Sequence, residues 1–459
     1  MSRSTQTSIT RLEEIVGSAN VSTGLAEIAP RQAEGMRPSA VVRPADSAQI
    51  AEIVRFAAAE KIALIPCGGC TKLGIGSPPA RYDIALDLTR MNRVLAYDPR
   101  DLTLGVEPGV RIADLLRVLA EEKQFLPLAV PFAERATMGG IVAANSSSPL
   151  RHAYGGIRDF CLGMEFVTGE GSVAKSGGRV VKNVTGYDLH KLLIGSLGTL
   201  AVITRVNFRT FPLLAAQGTF VASFSDAESA FGFARAIAQS VLTPQIVEIA
   251  DPGAAHFLFA HEASARISPQ QWSVVITAGG QPSVVDRHGR DLGQMASAAN
   301  AIEFIPLSNA EQSSVLSRIS EFPRLVLEAA PPAAIFRISA LPTTMPPLLG
   351  QLGELASRNH MHFAALTHAS GILYAALFAE EGREMPSAGA ATVATQAFQI
   401  CAQPEISAQA MLEWCPSEVK RAAGGVWGPA RQDFALMRRI KNVFDPQNVL
   451  SPGRFAGEI

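Results

Sequence analysis

Three observations predict an α+β fold in two domains. The chain has 459 residues, more than a single hydrophobic core normally serves. Apolar residues make up 47% and charged residues 18%, the balance of a folded globular chain rather than a disordered one. The texture also changes after Pro212. Short strands, helices and glycine-rich loops precede it. Longer helical patterns that alternate with strands follow it, which suggests a separate α+β domain.

The elements follow in order. Residues 1–34 form a lead-in with one short amphipathic helix. "RPADSAQIAEIVRFAAAEK" predicts a helix, with Asp46 or Ser47 as cap and Ile50, Ile53, Val54 and Ala57 on one face. "IALIPCG" predicts a short buried strand, and "DIALDLTRMNRVLAYDP" a strand, a turn and a strand. "TLGVEPGVRIADLLRVLAEEKQ" predicts a strand, a Pro-Gly turn and a helix with Ile112, Leu115, Leu116 and Leu119 inward. Residues 131–160 show little regular pattern, and a long irregular stretch inside a domain is usually functional. "MEFVTGEGSVAKSG" predicts a hairpin around residues 169–171, and "GTLAVITRVNFRTFP" a long strand ending at Pro212. Beyond it, "DAESAFGFARAIAQS" and "TMPPLLGQLGELASRN" are helical, and "WSVVITAGG", "AIFRISALP" and "GILYAALFA" are strands. The last segment predicts a helix stopped by Asp445-Pro446 and then an extended tail. Domain limits are expected at 35–212 and 213–430, with 431–459 returning to the first domain.

Charge and cysteine content narrow the function. A net charge of −1 offers no basic face for nucleic acid. Five cysteines in so long a chain are no disulfide framework, so a reducing, cytoplasmic compartment is expected. The N-terminus lacks the apolar core of a secretory signal, and no run of about 18 apolar residues predicts a membrane span. Peripheral attachment to the inner membrane through a partner stays open.

"IPCGGCTKLGIG", residues 65–76, combines a C-x-x-C pair with a glycine-rich loop after an apolar strand. A thioredoxin-type dithiol needs a helix to follow, and "TKLGIGSPP" cannot start one. Zinc needs a second ligand pair, and Cys161, Cys401 and Cys415 stand isolated. Gly69 and Gly74 have P-loop spacing, but Ile75-Gly76 follows instead of Lys-Ser/Thr. A Rossmann fingerprint fails for want of the helix. Two alternatives stay level on composition: a plain structural turn, or a nest of backbone N–H groups for a pyrophosphate with Thr71 as a further donor. "ATMGGIVAANSSS", residues 136–148, is a second loop where backbone can approach a ligand closely. Two such loops can clamp one dinucleotide from both sides.

These segments, with "DLTRMNRV", "VEPGV", "YGGIRDFCLGMEFVTGEG", "VVKNVTGYDLHKLLIGSLGTLAVIT" and "IKNVFDPQNVLSPGRF", resemble in order the FAD-binding domain of the vanillyl-alcohol oxidase / p-cresol methylhydroxylase flavoproteins. The narrower resemblance is to the FAD-linked 2-hydroxyacid oxidase branch, and within it to the FAD-binding accessory subunits of bacterial glycolate oxidases. These subunits pair with a larger flavin subunit and an iron–sulfur subunit. The resemblance implies a two-domain fold of that type and FAD as cofactor. It implies that Pro66, Cys67, Gly68, Gly69, Cys70, Thr71, Lys72 and Leu73 wrap the pyrophosphate. Thr137, Met138, Gly139 and Gly140 would contact the diphosphate and ribose. Asn145, Tyr154 and Gly155 would lie along the flavin, Val202 and Ile203 would meet it through main chain, and Asn448 would approach its ring. Cys70 falls where several relatives carry a histidine bonded to the flavin, but most of this branch binds FAD without a covalent bond, which is the expectation here.

The chain departs from the catalytic members at two places. They carry His-x-Gly-Asp-Gly-Asn-x-His and Glu-His-Gly motifs that supply a divalent metal and a base. Here stand "THASGILYAALF", which keeps His368 alone, and "KRAAGGVWGPARQDF", which has no Glu-His. No metal site is expected. His368 is expected to be a structural strand-end residue, and His190 is expected to be structural too. His360 and His362 have ligand-like spacing but no acidic neighbours, and Trp414, Trp427 and Phe434 are expected in core or interface. Arg337 stands where some relatives bind the substrate carboxylate, a task that suits its fork of donors, with a structural ion pair as the equal alternative. The expected function is an FAD subunit of a glycolate-oxidising complex acting on a small 2-hydroxy acid. The alternatives are a self-sufficient D-2-hydroxyacid dehydrogenase and a non-catalytic relay or assembly subunit.

Overall fold

A computed structural model describes residues 3–179, 186–259, 266–330, 333–379, 387–429 and 433–459. The stretch "VVKNVT" of the quoted motifs and the expected boundary at 430/431 lie outside them.

Two small sheets carry the first half. One orders its strands Val21–Ser22, Ala40–Val42, Ile84–Asp87, Leu64–Cys67, with the last three parallel. The helix Ser47–Glu60 covers it with Ile50, Ile53, Val54 and Ala57 buried, and Asp46 caps that helix by accepting from the Gln49 N–H at 2.9 Å. The lead-in is more ordered than its composition suggests. Residues Arg3–Val16 are a helix that buries Ile9, Leu12 and Val16, and Val21–Ser22 completes the sheet. The second sheet is antiparallel, in the order Val94–Asp98, Thr103–Val106, Ala201–Arg209, Cys161–Thr168, Val173–Gly177. Residues 131–160 differ from their irregular sequence texture. They hold three short helices, Met138–Ala143, Arg151–Tyr154 and Ile157–Phe160, each too short to show a 3.6-residue period.

From Ala216 onward the chain builds a large antiparallel sheet, with eight strands among the described residues. Five adjacent strands matter most below: Ile246–Ala250, Met361–His368, Ile372–Ala379, Ala333–Ser339 and Gln409–Trp414. Side chains alternate faces along each strand. Val247, Ile249, Phe336, Ile338, Leu373 and Leu412 bury one face under the helices Ala227–Gln239, Pro282–Ala298, Met345–Arg358 and Ser387–Cys401. The opposite face takes Ile335, Leu366, Tyr374, Met411 and Trp414, and it shares its buried cluster with Ile75 and Ala144 of the two glycine-rich loops. The two halves therefore meet where those loops lie against the large sheet.

The chain then returns. The helix Phe434–Phe444 stops at Asp445, and Leu450 bridges to Leu64 beside the first sheet. Lys441 locks this return: its Nζ donates to Asp445 Oδ2 at 2.6 Å, Thr199 O at 2.8 Å and Leu450 O at 3.0 Å, all buried.

Candidate functional site

A cleft opens between the two loops. Its first wall is the strand end and loop Ile65–Leu73. Its second is Pro108, Thr137, Gly139, Gly140, Ala143 and Ala144, and Leu197, Gly198, Ala201, Ile203 and Arg454 close it. The glycines are there because the loops touch. A Cβ on Gly68 would stand 2.1 Å from Thr137 Oγ1, and one on Gly69 would stand 1.7 Å from Arg135 O. Gly139 is pressed on Pro108 in the same way, 2.7 Å from its Cβ.

The sequence-derived site residues separate into two groups. Pro66, Cys67, Gly68, Gly69, Cys70, Thr71, Lys72, Leu73, Thr137, Gly139, Gly140 and Ile203 line the cleft. Met138 and Val202 are fully buried in the cores beneath it. Asn145 sits just beyond the wall at φ 46°, and its carbonyl accepts from Arg337 Nη1 at 3.0 Å. Tyr154 packs on Phe125 and Phe211 and its hydroxyl accepts from Gln245 at 2.6 Å, so it and Gly155 are not brought to the wall. Asn448 is also outside the lining, with its carbonyl accepting from Arg81 at 3.1 Å.

Behind the cleft, the face of the large sheet turned toward the loops carries a row of polar side chains. Glu248, His368, Tyr374, Arg337 and Glu413 come from five neighbouring strands. His368 Nδ1 and Glu248 Oε2 are 2.6 Å apart, with both residues buried. Burial raises the Glu248 carboxyl, and His368 draws it back down. Arg337 stands 3.8 Å from Glu413. Glu248 Oε1 and Glu413 Oε2 have no hydrogen-bond partner among the described residues. His190 is held by Ser176 at 3.0 Å, far from this row in sequence and sheet.

Lys72 joins the two regions. It lines the cleft and places Nζ 5.6 Å from the Trp414 ring centroid. Burial lowers its ammonium to about 8, Glu413 opposing and Arg337 adding to that shift. Arg454 is the other cation in the wall. Its Nη2 ties to Leu73 O at 2.7 Å and to Ile75 O, while its buried Nη1 has no partner among the described residues.

A flavin dinucleotide fits these residues. The glycine cradle offers backbone to a pyrophosphate, and the orphaned Arg454 Nη1 and Lys72 offer charge for anionic or carbonyl oxygen. The sequence pointed to neither Arg454 nor the partners Glu248, Tyr374 and Glu413. Only the two-residue alternation of each strand, laid side by side, reveals the row. Among the described residues, no three of His, Cys, Asp and Glu converge as a metal-binding group.

Fold and cleft together define a flavoprotein of the p-cresol methylhydroxylase type. The structure superposes on p-cresol methylhydroxylase with a TM-score of 0.78 at 16% identity, covering 99% of this chain and 97% of that one. Models of the FAD binding domain and of the C-terminal domain of FAD linked oxidases match residues 38–177 and residues 214–403 and 429–455. The chain belongs to the FAD-linked oxidases: it is an FAD-dependent oxidoreductase of the family that includes 2-hydroxyacid oxidoreductases. It is 24% identical over 430 residues to glycolate oxidase subunit GlcD of Bacillus subtilis, covering 91% of this chain and 88% of the relative. It is 27% identical to D-lactate dehydrogenase of Archaeoglobus fulgidus, covering 93% of each. With glycolate oxidase subunit GlcE of Escherichia coli it shares 34% identity over 174 residues, which are 38% of this chain and 49% of that one.

Proposed function

We propose that the chain is the FAD-binding subunit of a glycolate-oxidising complex. It would take an electron pair from a small 2-hydroxy acid and pass it to a second flavin subunit and an iron–sulfur subunit. The observation that carries this is the meeting of two cations, Lys72 and Arg337, against one buried carboxylate, Glu413, where the cofactor loops face the sheet. Either cation can offer its charge to a substrate carboxylate. The likeness to glycolate oxidase subunits supports the choice of acid and of partners. The proposed cofactor contacts are the cleft-lining residues, with FAD held non-covalently. No helix among the described residues is long and apolar enough to cross a membrane. A cytoplasmic complex, attached to the inner membrane only through partners, is the proposed location.

FAD, when bound, accepts the electrons released at the α-carbon. Lys72 and Arg337 orient the acid by its carboxylate. Ile75, Ala144 and Leu197 pack the seam and keep water from it. A specific observation favours the self-sufficient dehydrogenase as second reading. Glu248 holds the His368 ring by Nδ1, the arrangement of a base and its orienting carboxylate, which would leave Nε2 to hold a hydroxyl proton.

Anaerobic mixing of the flavin-loaded chain with glycolate and with D-lactate separates the two. We expect slow or absent bleaching of the flavin band, restored by a partner flavin subunit, because lack of a positioned base costs about 10²–10⁴ in rate. Fast bleaching by the isolated chain would establish the dehydrogenase instead. Acid precipitation should leave a yellow supernatant, and chelators should not change the rate.

A further inference from the structure

The proposed function makes no use of Lys420, yet its side chain is fully buried. Lysine is seldom buried so completely, because its ammonium must leave water. Lys420 stands on the helix Ser417–Ala422, just after the strand that carries Glu413 and Trp414. Its Nζ donates to Glu34 Oε1 at 2.7 Å, to Gly76 O at 3.3 Å and to Gly74 O. Burial lowers the ammonium, and Glu34 draws it back up. The neighbouring Arg421 donates to the Glu34 carbonyl at 2.9 Å and fixes the same residue from a second side.

The carbonyls give Lys420 its meaning. Arg454 takes Leu73 O and Ile75 O, so two cations from the C-terminal part of the chain hold the carbonyls of residues 73–76 in alternation. Leu73 is the last residue of this loop that lines the cleft, and Lys420 grips Gly74 and Gly76 just past it. Lys420 itself does not line the cleft. Among the described residues, the backbone N–H groups of Gly68, Gly69, Cys70 and Thr71 donate to no acceptor. These free donors lie between two anchors: the strand Leu64–Cys67 before them and the clamp on residues 73–76 after them. We propose that Lys420 is a positioning residue for the cofactor: it holds the loop by the carbonyls of Gly74 and Gly76 so that the free N–H groups of residues 68–71 are presented to the FAD pyrophosphate.

Stability of the seam gives no reason for the charges. Two apolar side chains of similar volume usually hold such a contact as well as a buried ion pair does, or better. The pairing here is also incomplete, since Glu34 Oε2 has no partner among the described residues. Apolar side chains could not donate to Gly74 O and Gly76 O, and a charged donor bonds a carbonyl more strongly than a neutral one. Glu34 keeps the amine charged and in place, and the loop carbonyls take the remaining donors. The inference rests on FAD as the cofactor and not on the choice of acid.

The test sets FAD affinity against stability, using the full chain stripped of flavin. Titration with FAD, followed by fluorescence, gives the affinity, and denaturant unfolding of the flavin-free chain gives the stability. Lys420→Met leaves Glu34 buried without its partner and should lower both, with FAD bound about tenfold more weakly. Lys420→Met combined with Glu34→Leu removes both charges. This double variant should regain most of the wild-type unfolding midpoint and still bind FAD about tenfold more weakly. ADP, which carries the pyrophosphate without the flavin, should lose affinity in the same proportion. Recovery of both stability and FAD affinity in the double variant would show that Lys420 only seals the seam, and would overturn the proposal. So would unchanged FAD affinity in either variant, or a loss of FAD binding with none for ADP.

Discussion

The cleft between residues 66–73 and 137–140 closes where Gly68, Gly69 and Gly139 let main chain meet its neighbours. The face of the large sheet behind it carries, among apolar side chains, a row of titratable ones: Glu248, His368, Tyr374, Arg337 and Glu413. The first region gains function by removing side chains so that backbone approaches backbone. The second gains it by burying charges that need each other. Close approach tolerates no added atom, whereas a buried charge tolerates no lost partner.

The largest effect should come from the cleft. Gly69→Val puts branched carbon where a Cβ alone would meet Arg135 O at 1.7 Å, so the loops must part. The purified variant should carry essentially no flavin by absorbance ratio. A yellow Gly69→Val protein would remove the distinction between the two regions.

The row should respond to loss of one partner rather than to added bulk. His368→Ala leaves Glu248 buried and unpaired and should cost about 3–5 kcal/mol in denaturant unfolding. Replacing both, as His368→Leu with Glu248→Leu, should recover most of it. If the double variant is as unstable as the single one, the pair is held by shape and not by charge.

Arg337→Ala acts across the seam. It removes the donor to Asn145 O and the cation facing Glu413. Binding of oxalate, a non-reacting dicarboxylate, should weaken by about 2–5 kcal/mol, read from perturbation of the flavin spectrum. Unchanged affinity would make the arginine a tie between domains and nothing more.

The mildest test is pH. Lys72 falls from its ordinary 10.5 to about 8 in the fold, so between those values the unfolded chain holds a proton that the folded chain has released. The cost of burying its charge is present below about 8 and relieved above it, so this group's contribution to stability rises with pH. Oxalate affinity should move the other way, falling above about 8 with a limiting slope of about tenfold per unit. Lys72→Met should flatten that slope.

The same contrast explains what the sequence revealed. A backbone cradle leaves local marks, since small residues must stand next to one another, and "CGGCTK" and "TMGG" are such marks. The helix at Ser47–Glu60 and three strands of the large sheet, at Trp272–Gly280, Ala333–Ser339 and Ile372–Ala379, were legible from period and capping. The polar row left none. Glu248 and His368 are 120 positions apart, and each alone is one acid or one imidazole in a strand. His368 therefore passed for a solitary residue. The short helices of residues 131–160 escaped because four to six residues make no periodic pattern. Arg454 escaped because nothing local shows which cleft a tail arginine will reach.

That arginine has a consequence for how the protein is made. It grips Leu73 O from 381 positions away, and the bridge from Leu450 to Leu64 spans a similar interval. At ribosomal speed, roughly 20–80 s separate the synthesis of the two sides. Through that interval the nascent chain shows its glycine loop to the cell without the wall that completes it. A message cut short before codon 454 yields a chain that keeps both glycine loops and lacks the arginine that completes their wall.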